Sequence, residues 1–253
     1  MRNTPDKTTG IEQSHHARTI SVVIPTLNEI NSIGETLGAV GRGLFEVIVA
    51  DGGSGDGTAE AARQWGARVI TAERGRGSQM HAGACAARGE IFWFLHADTR
   101  PPRDAATRIV EVFNNKNAVA GNFEIHFDGE SAAARFLSWL YPQLRRIGLC
   151  YGDSAIFVRR DVYERIGGFQ SFPIFEDLDL VRRLRKEGRI VHLPVSVTTS
   201  SRRFEGRSFA FTFARWALLQ TLYWMGVHPR RLVRLYAPIR AARLKPDKHK
   251  GLS

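Results

Sequence analysis

Residues 91–102, Ile91-Phe92-Trp93-Phe94-Leu95-His96-Ala97-Asp98-Thr99-Arg100-Pro101-Pro102, decide how the chain folds. Five consecutive apolar side chains cannot alternate between core and water, so both faces of this strand are covered. Such a strand is central in a parallel sheet. The run stops on His96-Ala97-Asp98, polar groups at the strand's carboxyl end. Open α/β sheets bind their ligands at that end.

Working toward the N-terminus, Ile20 to Pro25, Phe45 to Ala50 and Ala67 to Thr71 read as three more strands. Between them lie a helix from about Glu29 to Val40 with Asn28 as its cap, a second from Thr58 to Trp65, and a third from Gln79 to Arg88. This βαβαβαβ alternation predicts an α/β fold with a doubly wound, mostly parallel sheet flanked by helices. Thr26-Leu27-Asn28-Glu29, Asp51-Gly52-Gly53-Ser54 and His96-Ala97-Asp98 then fall on one sheet edge. Beyond residue 102 the pattern loosens. Strands are expected over Ala118–Phe127, Tyr151–Val158 and Arg189–Leu193, and helices over Ser131–Arg146, Arg160–Ile166 and Phe175–Lys186. C-terminal helices are expected over Ser208–Val227 and Arg230–Tyr236. The domain reading is a disordered lead over 1–18, the main domain over 19–205, amphipathic helices over 206–240 and a basic tail over 241–253.

The whole chain, 253 residues with 43% hydrophobic and 24% charged side chains, has the composition of a globular protein. That excludes disordered, collagen-like and multi-span membrane classes. Two cysteines, Cys85 and Cys150, make no disulfide framework or metal spacing, so a reducing, cytoplasmic setting is expected. The net charge is +11, and residues 201–253 carry 12 Lys and Arg against Glu205 and Asp247, which leaves +1 for the rest. A block this local points to an anionic partner. No nucleic-acid reading motif accompanies it, so nucleic acid is not expected. The stretch 208–227 has one charge, Arg215, and many aromatics, with basic residues on both sides. It suits a peripheral, in-plane helix at the inner face of a membrane; packing on the core is the alternative.

Asp51 through Thr58 is glycine-rich, so the backbone can turn sharply against a ligand, with Asp51 placed to accept from a base or ribose edge. An Asx-rich turn explains it equally well. Asp98 suits a hard divalent cation bridging phosphates, with His96 as a second ligand or a packed imidazole. Arg74-Gly75-Arg76-Gly77-Ser78 at a helix start makes a diphosphate site or a solvent loop. Glu176-Asp177-Leu178-Asp179 crowds three carboxylates, which raises one pKa and suits a general base. Asp177 and Asp179 lie roughly 200° apart on a helix and cannot serve one ligand together.

In this order, Pro25 through Glu29, Asp51 through Thr58, Ala87-Arg88-Gly89-Glu90 with His96-Ala97-Asp98, Gly167-Gly168-Phe169 and Glu176-Asp177 resemble the motifs of family 2 glycosyltransferases over about residues 19–205. The resemblance implies a GT-A fold, a UDP-, GDP- or dTDP-sugar donor, Mg²⁺ or Mn²⁺, and inversion at the anomeric carbon. It implies that Thr26, Glu29 and Asp51 hold the nucleoside, Asp98 the metal, and that Asp177 is the base. Pro25, Asn28, Gly53, Ser54, Arg74, Arg76, Gly77, His96 and Ala97 complete the expected donor site. His96 stands where the family's metal motif has its first Asp. Thr212 stands where processive members have Gln, which argues against a polysaccharide synthase. Gly152 through Arg160 is similar to a small bacterial subgroup associated with arsenosugar biosynthesis. The expected acceptor is a small or lipid-like molecule carrying a hydroxyl or carboxyl group. A non-catalytic nucleotide-sugar binder is the alternative.

Overall fold

The structure, a computed structural model, describes residues 18–41, 46–146, 152–200 and 209–233. Strands β1 (Ile20–Thr26), β2 (Glu46–Asp51), β3 (Arg68–Thr71) and β4 (Ile91–Phe94) lie parallel in the order β3-β2-β1-β4. They are joined by helices α1 (Ile30–Val40), α2 (Thr58–Gln64) and α3 (Arg76–Ala86). Side chains of one strand leave on opposite faces, and two cores follow. Val22, Ile24 and Trp93 pack with Ile33 and Leu37 of α1 on one face. Val23, Phe92 and Phe94 pack with Met80 and Ala84 of α3 on the other. All four residues of β4 are buried, as a strand covered on both sides must be.

The chain then forms β5 (Thr99–Arg100), α4 (Ala105–Val112), β6 (Ala118–Phe127) and α5 (Ala132–Arg146). A 3-10 turn (Gly152–Ser154) leads into β7 (Phe157–Arg159) and α6 (Arg160–Arg165). Helix α7 (Glu176–Glu187), β8 (Arg189–Thr199) and α8 (Phe209–Trp224) follow. The sheet order is β3-β2-β1-β4-β7-β6-β8-β5. Strand β7 is antiparallel to both β4 and β6, while β6 and β8 pair in parallel. The expected α/β fold is therefore present, with the reversed β7 beside the central strand.

Four local expectations are corrected. The segment expected as a strand over Tyr151–Val158 is a 3-10 turn followed by three strand residues, with Tyr151 outside the described residues. Strand β8 runs past Leu193 to Thr199, because Ser196 to Thr199 pair with Glu124 to Phe127. Pro194 falls where the register slips between His192 and Ser196, the place where a ladder tolerates a missing N–H. Helix α3 begins at Arg76, three residues early. Asn28 does not cap α1; its backbone is left-handed (φ 57°) and its side chain reaches elsewhere. The 1–17 lead, Cys150 and the tail over 241–253 lie outside the described residues.

Candidate active site

The turns after β1 and β2 are laced together. Asn28 Oδ1 accepts from Gly55 N at 2.9 Å, and Asn28 N donates to Ser54 Oγ at 2.9 Å. Asp56 Oδ2 accepts from Ile30 N at the start of α1, while its Oδ1 accepts from Thr58 N at the start of α2. Thr58 Oγ1 in turn accepts from Glu29 N at 2.8 Å. Two helix N-termini thus share one carboxylate, satisfying amides that no helical carbonyl reaches. Asp51 is buried, and burial alone would raise its pKa. Hydrogen bonds from Ser54, Thr26 and Gly53 outweigh burial and hold the carboxyl below its ordinary value. Its primary work is to fix the Gly53-Ser54 turn against Thr26.

Gln79, which the sequence did not single out, staples the same edge. Its Nε2 donates to Thr26 O at 2.7 Å and Ala50 O at 2.8 Å, and its Oε1 accepts from Gly75 N at 3.3 Å. The side chain is buried, and it fixes the start of α3 beside the ends of β1 and β2. Arg74 Nε donates to Gly52 O at 3.2 Å, which draws that guanidinium to the same crevice. Ala97 is buried in the loop after β4, and its carbonyl accepts from Thr36 of α1 at 2.8 Å.

A second cluster gathers on the other side of β4. His96 Nδ1 lies 2.9 Å from Asp153 Oδ1 in the 3-10 turn. Arg76 Nε meets Glu176 Oε1 at 2.7 Å, and Arg76 Nη1 lies 3.9 Å from Asp153 Oδ1. Gly152 N donates to Asp177 Oδ2, and Leu178 N donates to Asp177 Oδ1. A Cβ at Gly152 would lie 3.2 Å from Asp177 Oδ2 and 3.4 Å from His96 Nε2, so any side chain there would crowd both groups. A Cβ at Gly77 would lie 2.6 Å from Gln170 O, so the start of α3 needs glycine to approach the segment before α7. Burial of Asp177, and then the charge of Glu176, push its carboxyl up to about 6. Arg76 and the two amides pull the other way without cancelling that rise. Asp179 points elsewhere, pairing with Arg183 at 2.8 Å and Arg182 at 3.3 Å. The two aspartates occupy different faces of α7, as their spacing requires.

Asp98 is half-buried, and its carboxylate has no hydrogen-bond or ion-pair partner among the described residues. The carboxylates of Asp51, Asp153, Glu176 and Asp177 are engaged, on backbone amides, on His96 or on Arg76. No group of three or more His, Cys, Asp and Glu close enough to cage a metal occurs among the described residues. An unengaged carboxylate at the strand end fits a hard divalent ion that takes most of its shell from phosphate and water.

The profile of Glycosyl transferase family 2 matches residues 21–166, more than half of the chain. The chain belongs to this family. Glycosyltransferase AglE of Haloferax volcanii is 31% identical over 174 residues, covering 61% of this chain and 57% of AglE. A probable glycosyltransferase of Bacillus subtilis, YdaM, is 25% identical and covered to 50%. The chain thus spans about half the length of these curated relatives. Among solved structures, glucosyl-3-phosphoglycerate synthase from Mycobacterium tuberculosis superposes with a TM-score of 0.59 at 22% identity, covering 83% of this chain and 81% of that one. That likeness carries the GT-A fold.

Within this family 2 chain, Pro25, Thr26, Asn28, Glu29, Asp51, Gly53 and Ser54 sit at the ends of β1 and β2. Arg74, Arg76 and Gly77 sit at the start of α3, His96 to Asp98 after β4, and Asp177 in the first turn of α7. All lie along one edge of the sheet. In the sequence Asp153 stands out only as part of the Gly152–Arg160 segment. Its role depends on His96, 57 positions away, and no local signal announced it.

Proposed function

We propose that this protein transfers a sugar from a nucleotide diphosphate to an acceptor hydroxyl or carboxyl, with inversion at the anomeric carbon and Asp177 as the base. The observation that carries this reading is the buried Asp177, raised to about 6 and turned toward Gly152 and His96 at the ligand edge. A base of that pKa is ionised at neutral pH and still accepts a proton readily. Asp177 takes the acceptor O–H proton, the freed oxygen bonds to C1, and the bond from C1 to the diphosphate oxygen breaks with its electron pair on the leaving group. Thr26, Glu29 and the Gly53-Ser54 turn line the nucleoside side. Arg74 and the N-terminus of α3 face the diphosphate, where amides and guanidinium favour negative charge. Asp98 would hold Mg²⁺ or Mn²⁺, with His96 two residues before it on the same loop. An ion held there would supply positive charge to neutralise the departing diphosphate.

A uridine donor and a small acceptor are favoured by the solved relative, whose complex holds Mn²⁺, uridine-diphosphate-glucose and phosphoglyceric acid. A narrower reading, membership of the subgroup associated with arsenosugar biosynthesis, rests on the Gly152–Arg160 segment alone. A lipid-like acceptor is the second reading. It is favoured by α8, whose Tyr223 stacks on Phe175 two residues before Asp177 and whose Phe211, Leu218 and Trp224 are exposed. Thermal stabilisation by UDP-, GDP- and dTDP-sugars with and without Mn²⁺, followed by nucleotide-diphosphate release, tests the proposal. Stabilisation without release in the presence of varied acceptors would favour the non-catalytic binder.

A further inference from the structure

Helices α5 and α8 both bury one side. Tyr141 and Leu144 of α5 pack with Trp216, Leu219 and Tyr223 of α8 around Phe175 and Leu178. The outward side of α8 is apolar too. Phe211, Leu218, Trp224 and Met225 are exposed, Met225 to 75%. The exposed hydroxyl among them, Thr221, donates back to Ala217 O within the helix. Helix α5 extends this surface with exposed Phe136 and Trp139, and Phe136 lies 5.9 Å, ring to ring, from Phe213 of α8. A helix facing only water places charged side chains outward. This one does not.

Helix α5, helix α8 and the turn after α8 carry charge of a single sign. Residues 132–146 and 209–233 contain six arginines and no Asp or Glu. Of these, Arg135, Arg146, Arg230 and Arg231 are exposed. A second copy meeting the same face about a two-fold axis would set these cations against themselves. An anionic lipid surface takes both components, aromatic rings at headgroup depth and arginines on the phosphates. Among the described residues no helix is long and apolar enough to cross a membrane. At 16 residues, α8 is about 24 Å long and fits along the bilayer plane.

We propose that the face formed by α5 and α8 docks on an anionic membrane, with α8 lying in its plane. This inference does not depend on which acceptor is used or on the donor site. Flotation of the full chain with vesicles of phosphatidylcholine alone, and of phosphatidylcholine with phosphatidylglycerol, tests it. The wild type is expected to float with the anionic vesicles only, and less so at high salt. Arg230→Ala and Arg231→Ala are each expected to lower partition about fivefold, and Leu218→Glu with Met225→Glu to abolish it. Thermal melts confirm that each variant is folded. A wild type that floats with neither vesicle, or folded variants that float like the wild type, overturns the proposal. So does a dimer in sedimentation that Leu218→Glu breaks, in a chain that binds no vesicles. Loss of nucleotide binding with flotation intact would count against the proposed function alone.

Discussion

His96 and Asp153 join the loop after the central strand to the turn before the reversed strand, Nδ1 to Oδ1 at 2.9 Å. Asp153 also faces Arg76 at 3.9 Å, so one carboxylate orients an imidazole and a guanidinium together. Asp153→Ala is expected to weaken Mn²⁺-dependent UDP binding by about 10–100-fold, the range found when the partner of a site residue is removed. The effects of Asp153→Ala and His96→Ala should not add, because each deletes the same contact. Calorimetry on the two single variants and the double variant measures this; full additivity would dissolve the pair.

Asp98→Ala is expected to remove the tightening of nucleotide-diphosphate binding by Mn²⁺ while leaving the fold unchanged, since the carboxylate holds no protein group. Titrating UDP with and without the ion reads this coupling directly. Coupling of wild-type size in the variant would move the metal away from Asp98.

Asp177→Asn is expected to keep donor binding and lose at least about 10²-fold in turnover, because an amide cannot take the acceptor's proton. In the wild type, kcat/KM should fall as pH drops through about 6, where the base becomes protonated. Asp179→Asn separates structure from chemistry. It breaks a buried pair with Arg183 and should destabilise by about 3 kcal/mol while turnover per folded molecule persists. The reverse pattern, with Asp179→Asn inactive and Asp177→Asn active, would transfer the role.

The same carboxyl makes stability depend on pH. Burial raises Asp177 from its ordinary 3.8 to about 6, so the fold favours its protonated form. Its contribution is full below 3.8 and is lost as pH rises through about 6. Asp177→Asn, neutral throughout, should therefore raise the Tm at pH 7.5 and raise it less at pH 5. The gain at pH 7.5 is at most about 3 kcal/mol. Calorimetric melts at the two pH values decide it; an equal shift at both would rule out titration as the cause.

Gly77→Ala places a methyl 2.6 Å from a backbone carbonyl, which cannot swing away as a side chain would. Displacing the start of α3 moves Arg76 from Glu176. A loss of about 2 kcal/mol in stability, within the range for overpacking, and weaker UDP binding are expected. Thermal melts and titration of the variant check both.

The first half of the fold was legible because burial there is written in continuous apolar runs, Ile20 to Pro25 and Ile91 to Leu95, which admit one reading. Strand β8 was cut short because Pro194 reads as a stop, and only the bulge against β6 shows that the ladder resumes. Asp177, Asp98 and the β1 and β2 turns were legible because their carboxylates and glycines cluster at element ends. Asp153 and Gln79 were not. Each acts across the sheet edge on groups distant in sequence, and an isolated Asp after Gly or a Gln within a helix carries no mark of that. The sequence of the C-terminal helix offers membrane and core as alternatives; the helix has two faces, and one of them packs on Phe175 and Leu178.

The lacing of the first two turns bears on how such a sequence can drift. Asn28, Ser54, Asp56 and Thr58 tie the two turns together through the amides of Asn28, Glu29, Ile30 and Gly55. Replacing Asp56 alone leaves donors stranded at two helix starts at once. Repair then needs a matching change some 26 positions away. These positions should therefore vary as a set among descendants of this sequence, and grafting either turn without its counterpart into another family member should cost stability even where no donor-binding atom has changed.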